Sequence, residues 1–336
     1  MEKALFLIME EDLASRFRFF ESETALPVHQ LNLKNSLKKS KLHTIVSRLT
    51  YKSNLRCEYN KLKPKLNNLQ KLFISNPEGY IAKNIIYFIR KDFPSIKIIS
   101  LQHGIFALRS PSSVKTILKK VVNTIMKPIL GYFPVGDGFG EKSTDSYIVY
   151  NSRYKKYLLN LGWKENQVNI SSYFLKGEKE VQKIDSPHAN KAVFFLQCLH
   201  KLGIADFNTE MKLIENVVGK LSKIYSEVLI KQHPYADIDL PVLPKNTRVI
   251  KEVPELSEIA IVVSAFSTAL LEYEKYGIKA VSLKSKKLNV DPAVYDQFLY
   301  VYDLDEMSTE FTYKKNPKRD GLDVFFEIGI TDLEQL

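Results

Sequence analysis

The chain has 336 residues, 45% hydrophobic and 26% charged, which excludes a disordered or low-complexity protein and, at ~150 residues per domain, suggests two domains. Lysine and arginine number 49 against 38 aspartates and glutamates, a formal charge of +11, so an anionic partner is expected: nucleic acid, an acidic membrane surface or a phosphorylated substrate. The two cysteines, Cys57 and Cys198, exclude a disulfide framework and lack zinc-site spacing.

Residues 4–9, Ala-Leu-Phe-Leu-Ile-Met, form an apolar run followed at once by Glu10, Glu11 and Asp12. The run is too short for a signal peptide and reads as a first buried strand. No window reaches ~18 apolar residues, so no spanning segment is expected, and the expected location is the cytoplasm. Further strands are expected at 71–75, 96–101 and 146–150, with helices at 45–63, 78–91 and 152–161. Strands alternating with helices predict parallel βαβ units. Residues 112–130 place Val114, Ile117, Leu118, Val121, Val122, Ile125 and Met126 on one helical face, with Lys115, Lys119 and Lys127 mostly off it. Such a stripe suits a membrane-surface helix, and also a core-facing one, which is commoner. The basic run 34–41 adds attraction to anionic lipid.

Residues 166–190 are polar and aperiodic and read as a linker. The pattern then restarts, with strands at 192–198, 228–231, 248–251, 259–263 and 279–283. Helices are expected at 208–225, capped by Asn208 or Thr209, and at 267–276, closed by Gly277. The expected organisation is an acceptor-side Rossmann-like domain at 1–165 and a nucleotide-binding one at 191–310. The tail 311–336 is expected to pack back on the first domain. The fold class is therefore α/β, two Rossmann-like domains facing a cleft, with ligands at the carboxyl ends of the strands.

Three polar clusters follow apolar strands. Gln102-His103-Gly104 follows Ile96–Leu101. Gly104 permits a sharp exit, leaving the His103 imidazole placed for general base work near neutral pH; a surface-loop histidine has the same sequence. Lys231-Gln-His233-Pro234 follows Val228–Ile230. Lys231 and His233 can donate to a phosphate and Pro234 fixes the turn; a plain strand-end turn reads alike. Ser264-Ala-Phe-Ser267-Thr268 follows Ile259–Val263 and opens a helix. Hydroxyls and N–H groups at a helix start suit an anion, while N-capping by Ser267 alone accounts for the pattern too. The two D-x-D triplets, Asp237/Asp239 and Asp303/Asp305, read as surface turns, so no metal is expected. Glu10, Glu11 and Asp12 are alternative bases. The basic residues are spread along the chain without a zinc finger, an RNP-like strand or a dense basic helix, so nucleic acid is not an expected partner.

The conjunction resembles a GT-B glycosyltransferase. More narrowly, it is similar to the bacterial sialyltransferases, polysialyltransferases and CDP-glycerol glycerophosphotransferases of surface-polymer synthesis. Those families carry a His-Pro motif and a downstream Ser/Thr motif that hold the cytidine nucleotide's phosphate. Here these match Lys231, His233 and Pro234, and Ser264, Ser267 and Thr268. The glycerophosphotransferases carry a His-Gly with the histidine as base, matched by His103-Gly104; sialyltransferases place an acidic pair before Gly there. Their Gly-Gln-Pro-Leu is partly kept as Leu196-Gln197-Cys198-Leu199. The resemblance covers about residues 96–285. It implies a metal-independent, inverting transfer of a sialic-acid-like sugar from a CMP-activated donor to a glycan or lipid-linked glycan. The enzyme would lie at the inner face of the cytoplasmic membrane. A CDP-glycerol or polyol-phosphate transferase, or a non-catalytic nucleotide-binding protein, is the alternative.

Overall fold

The computed structural model describes residues 4–8, 27–30, 55–75, 79–102, 114–136, 142–170, 189–232, 239–306 and 308–317. The chain divides into two compact units, each built on its own sheet.

In the first unit the elements run in chain order. They are β1 (Ala4–Ile8), β2 (Val28–Gln30), α1 (55–62), β3 (Lys71–Ser75), α2 (Gly79–Asp92), β4 (Lys97–Leu101), α3 (Val114–Leu130), β5 (Ser146–Val149), α4 (Ser152–Asn160) and β6 (Val168–Ile170). The six strands are all parallel, in the order β2-β1-β3-β4-β5-β6. Parallel strands covered on both faces read as unbroken apolar runs, and β4 shows why the sequence signal was strong. Ile98, Ile99, Ser100 and Leu101 are all buried. The one polar member, Ser100, shares a 2.6 Å hydrogen bond with Thr144, which offsets the cost of burying its hydroxyl. Leu55, Tyr59 and Leu62 of α1 join Ile85, Ile86 and Ile89 of α2 in the core beside β1 and β3. Both β2 and β6 are three-residue edge strands that the sequence pattern did not announce. The stretch expected to be linker from 166 onward thus begins inside the first sheet.

Two buried asparagines fix the segment that follows α3. Asn84 of α2 donates to the Phe133 carbonyl at 2.9 Å and accepts from the Phe133 N–H at 2.7 Å. Asn123 of α3 makes the same pair with Val135, at 2.9 and 3.1 Å. Each amide replaces a backbone partner, so both strand-like residues are satisfied without a neighbouring strand. This fixes the roll of α3: Asn123 points inward, while Leu118, Val121, Ile125 and Ile129 are exposed. The core-facing alternative for this apolar stripe fails at Leu118, Val121 and Ile125, and Ile129 extends the exposed row.

The second unit runs β7 (Lys191–Leu196), α5 (Phe207–Leu221), β8 (Glu227–Gln232), β9 (Thr247–Ile250), β10 (Ile259–Ser264), α6 (Thr268–Lys275), β11 (Lys279–Lys284), β12 (Tyr300–Asp303) and β13 (Lys314–Lys315). Its strand order is β13-β12-β11-β10-β7-β8-β9, parallel except for β13. The hop from β9 to β10 on the far side of β7 makes β7 and β10 neighbours although they are distant in sequence. The N-cap of α5 is Asp206, whose carboxylate accepts from Thr209 N at 2.9 Å; the sequence reading put the cap at Asn208 or Thr209. Ser267 caps α6 as expected, accepting from Ala269 N at 3.2 Å. Gly277 closes it with φ 80°, a conformation that favours glycine. The tail enters this sheet at Lys314 and Lys315, and its remainder from 318 lies outside the described residues.

Candidate functional site

In the first unit, β4 ends at Leu101 and delivers Gln102 to the carboxyl edge of the sheet. Gln102 is fully buried. Its N–H donates to the Ile148 carbonyl at 2.9 Å and its Oε1 accepts from Tyr150 N at 3.0 Å. Gln102 therefore splices the ends of β4 and β5, and it is a positioning residue rather than a ligand. His103 and Gly104, the acidic Glu10, Glu11 and Asp12, and the basic run 34–41 lie outside the described residues.

In the second unit the carboxyl ends of β7, β10 and β11 converge. The register pairs Phe194 with Val263 and Ser264 with Ser282. Ser264 is fully buried and its hydroxyl donates to the Phe195 carbonyl at 2.8 Å, so it ties β10 to β7 and is not itself exposed to a ligand. Ser282 does the equivalent one strand over, donating to the Ala265 carbonyl. Gln197 Oε1 accepts from Phe266 N at 3.0 Å. An N–H donor fixes which amide atom is the oxygen, so Nε2 carries the outward donors, and no described residue accepts from it. Gln197, Ser264, Ser267 and Thr268 thus form one cluster: the β7 loop is pinned against the start of α6, where N–H groups and the positive end of the helix favour an anion.

Lys231 does not join that cluster. It sits on β8, with β7 between it and β10, and its ammonium donates to the carbonyl of Lys251 at the end of β9. His233 and Pro234 lie outside the described residues. Among the described residues no group of histidines, cysteines or carboxylates could hold a metal ion. Asp303 ends β12 and Asp305 lies in the turn after it: Asp303 accepts from Asp305 N at 3.0 Å, while Asp305 accepts from Ser285 Oγ at 2.9 Å and Lys286 N at 2.6 Å. Asp237 lies outside the described residues.

The sequence reading missed a hydrogen-bonded glutamate–histidine pair beside this cluster. Glu210 of α5 is fully buried. Its carboxylate accepts from Leu199 N at 2.8 Å, from His200 N at 3.0 Å and from His200 Nδ1. It therefore holds the whole β7–α5 loop, Gln197 included, and fixes the histidine tautomer with Nε2 turned away from the carboxylate. The same loop reaches β11's exit, where Asn289 N donates to the Ile204 carbonyl at 2.7 Å. The exposed Lys286 and Lys287 stand on that exit. Nearby, burial pushes the Cys198 thiol pKa up, which disfavours the nucleophilic thiolate. A glutamate in register with Ile214, Val217 and Leu221, all buried, is the signal that was available: a charge inside an apolar stripe requires partners.

No curated protein matches the chain. Among solved structures it is similar to UDP-N-acetylglucosamine 2-epimerase from Rickettsia bellii, with TM-score 0.50, 10% identity, and 97% of this chain and 88% of that one covered. That likeness shows the fold. An alpha/beta-galactoside alpha-2,3-sialyltransferase from Photobacterium phosphoreum follows, with TM-score 0.41, 12% identity, and coverage of 87% and 93%. The wall teichoic acid polymerase TagF has TM-score 0.38, 8% identity, and coverage of 84% and 69%. The Alpha-2,8-polysialyltransferase (POLYST) family matches residues 26–284, which take in both sheets' central strands and the whole Gln197–Thr268 cluster. With more than half of its length matched, the chain belongs to the alpha-2,8-polysialyltransferase family.

Proposed function

We propose that this glycosyltransferase moves a sialic-acid-like sugar from a CMP-activated donor to a glycan of a surface polymer, without a metal and with inversion at the anomeric carbon. One observation supports the donor site most: Gln197 Oε1 pins the β7 loop to Phe266 N at 3.0 Å, beside the N-terminus of α6. In this reading the donor phosphate takes the N–H groups around Ser267 and Thr268 and the Gln197 amide. His233, with Pro234 shaping its turn, adds a charge-assisted bond as negative charge builds on the leaving nucleotide. Ser264 positions this surface from below. Lys231 contributes positive charge from β8, and reaches the phosphate only by leaving the Lys251 carbonyl. In the first unit, His103 takes the proton of the acceptor hydroxyl as its oxygen attacks the anomeric carbon and the nucleotide departs. Peripheral contact with an anionic membrane, through 112–130 and 34–41, is part of the same reading.

The test is calorimetry of CMP, CDP, UDP, GDP and dTDP against the wild-type chain and His233→Ala. Cytidine nucleotides should bind best. The variant should bind them about tenfold or more weaker, the loss of one charge-assisted bond of ~1.5–3 kcal/mol. Equal affinity in a folded His233→Ala protein rules out the assignment. A donor that yields glycerol phosphate transfer, with no sugar transfer, selects the CDP-glycerol alternative. Cytidine affinity without turnover of either donor selects a non-catalytic binding protein.

A further inference from the structure

The exposed face of α3 breaks the usual rule for an amphipathic helix. Its inward side is held by a polar residue, Asn123, and its apolar stripe points to solvent. Leu118 is 61% exposed, Val121 47%, Ile125 58% and Ile129 73%. These residues recur at helical spacing over three turns, with Lys120, also exposed, in the same helix. Scattered surface leucines need no explanation, but an aligned row of four does.

The stripe ends two residues before Gly131, which lines a cavity of about 360 Å³. Arg56 and Asn60 of α1 and Tyr87 and Lys91 of α2 are further walls of this cavity. Arg56 and Lys91 are exposed, and Lys91 also lends its positive charge to the neighbouring Asp92. The one carboxylate in the wall, Asp92, is already neutralised. It takes the Lys63 ammonium at 2.7 Å and the Tyr59 hydroxyl at 2.9 Å, and Lys63 first of all holds its carboxyl below the usual range. Lys127, over the Tyr87 ring at 4.4 Å, adds one more cation beside the cavity. The cavity is therefore net positive, sized for a small anion, and continuous along the chain with an apolar ridge.

We propose that the α3 stripe and the Arg56–Lys91 cavity form one docking surface for an anionic phospholipid bilayer: the ridge enters the acyl boundary and the cavity takes a phosphate headgroup. Apolar area and cationic attraction add in such surfaces. The chain's net charge of +11 fits an anionic lipid leaflet better than a second copy, which would bring two net-positive chains together. The inference rests on the membrane part of the function proposed above and names the surface that makes the contact. No helix among the described residues is long and apolar enough to cross a membrane, so contact through this surface is interfacial.

The experiment is co-sedimentation of the full chain with vesicles of phosphatidylglycerol and phosphatidylcholine, and with phosphatidylcholine alone. Wild type should bind the anionic vesicles and lose them in high salt. Leu118→Ser/Ile125→Ser/Ile129→Ser replaces exposed positions and should fold normally, checked by its melting temperature. It should bind on the order of tenfold weaker per residue replaced. Arg56→Gln/Lys91→Gln should bind about fivefold weaker per charge at low salt. Unchanged anionic binding in the triple variant overturns the ridge, and unchanged binding in the double variant overturns the cavity. Equal binding to neutral vesicles overturns the electrostatic part. Concentration-dependent dimerisation that the triple variant abolishes would assign the face to a second copy instead. Transfer to a soluble acceptor, followed in the same preparations, should be unaffected in the variants. Vesicle binding without any turnover would count against the proposed reaction and leave the docking surface standing.

Discussion

Replacing His103 by alanine is expected to lower the turnover number about 10²–10⁴-fold, the usual contribution of a positioned base, while nucleotide affinity stays near normal. The structural ground is Gln102. Its two hydrogen bonds to the end of β5 anchor Gln102, the residue before His103 in sequence, at the carboxyl edge of the first sheet, where α/β folds place their chemistry. The donor cluster, by contrast, is built by the second sheet. The two effects therefore separate: rate at saturating donor reports the base, and calorimetric affinity reports the donor site. His103→Asp should keep part of the rate, since an acid at this position can also accept the proton. Near-normal turnover in His103→Ala would move the assignment to Glu10, Glu11 or Asp12. A large fall in donor affinity would make His103 a binding group.

Glu210→Ala should be the most destabilising single replacement in the second unit outside its apolar core. The carboxylate is fully buried and serves Leu199 N, His200 N and His200 Nδ1. Its loss takes the carboxylate acceptor from the His200 N–H, leaves Leu199 N only its 2.9 Å bond to the Gln197 carbonyl, and frees the imidazole. Breaking such an arrangement costs ~3 kcal/mol or more, a large share of the ~5–15 kcal/mol that holds a domain together. The second unit's melting temperature should fall by ~6–12 °C. Nucleotide affinity should fall with it, because the same loop carries Gln197 to Phe266 N. Glu210→Gln keeps an acceptor oxygen but presents an NH₂ where a second acceptor is needed, so it should lie between the two. A scanning calorimetry shift under ~2 °C for Glu210→Ala, set against the size expected from a buried network, would show that the loop is held by its backbone bonds alone.

The long strands were legible because parallel pairing buries both faces. Ile259–Val263 and Val228–Ile230 are apolar at nearly every position, and no other element gives so short and continuous a run. The edge strands β2, β6 and β13, and β12 beside the last of them, were not. They are two to four residues long, and their pairing is decided by the neighbour rather than by their own composition. For α3 the periodicity was read correctly and its direction was not: an apolar face shows that a helix is amphipathic, while the buried Asn123 decides which way it turns. Of the cluster of Gln197, Ser264, Ser267 and Thr268, the last three were visible as one strand end and Gln197 as part of a family motif. What the side chains do there was not. Ser264 and Ser267 spend their hydroxyls on the Phe195 carbonyl and on Ala269 N, and only coordinates show that. The His200–Glu210 pair joins a loop to a helix ten residues on, a spacing that matches neither helical nor strand periodicity.

The last strand of the second sheet has a consequence for how molecules meet one another. β13 is two lysines, both exposed, laid antiparallel against Tyr300 and Val301 of β12. A sheet rim is a row of unpaired donors and acceptors that can recruit a strand from another molecule. Here the rim is closed by the shortest possible strand and by repelling charge. At the opposite rim, β9 exposes Arg248 beside Val249. A chain ending after Thr312 would present Tyr300–Asp303 bare, with its aromatic and β-branched side chains. Such a truncated protein should therefore scatter light and pellet at concentrations where the full chain stays dispersed, while its circular dichroism at low concentration remains that of an α/β protein.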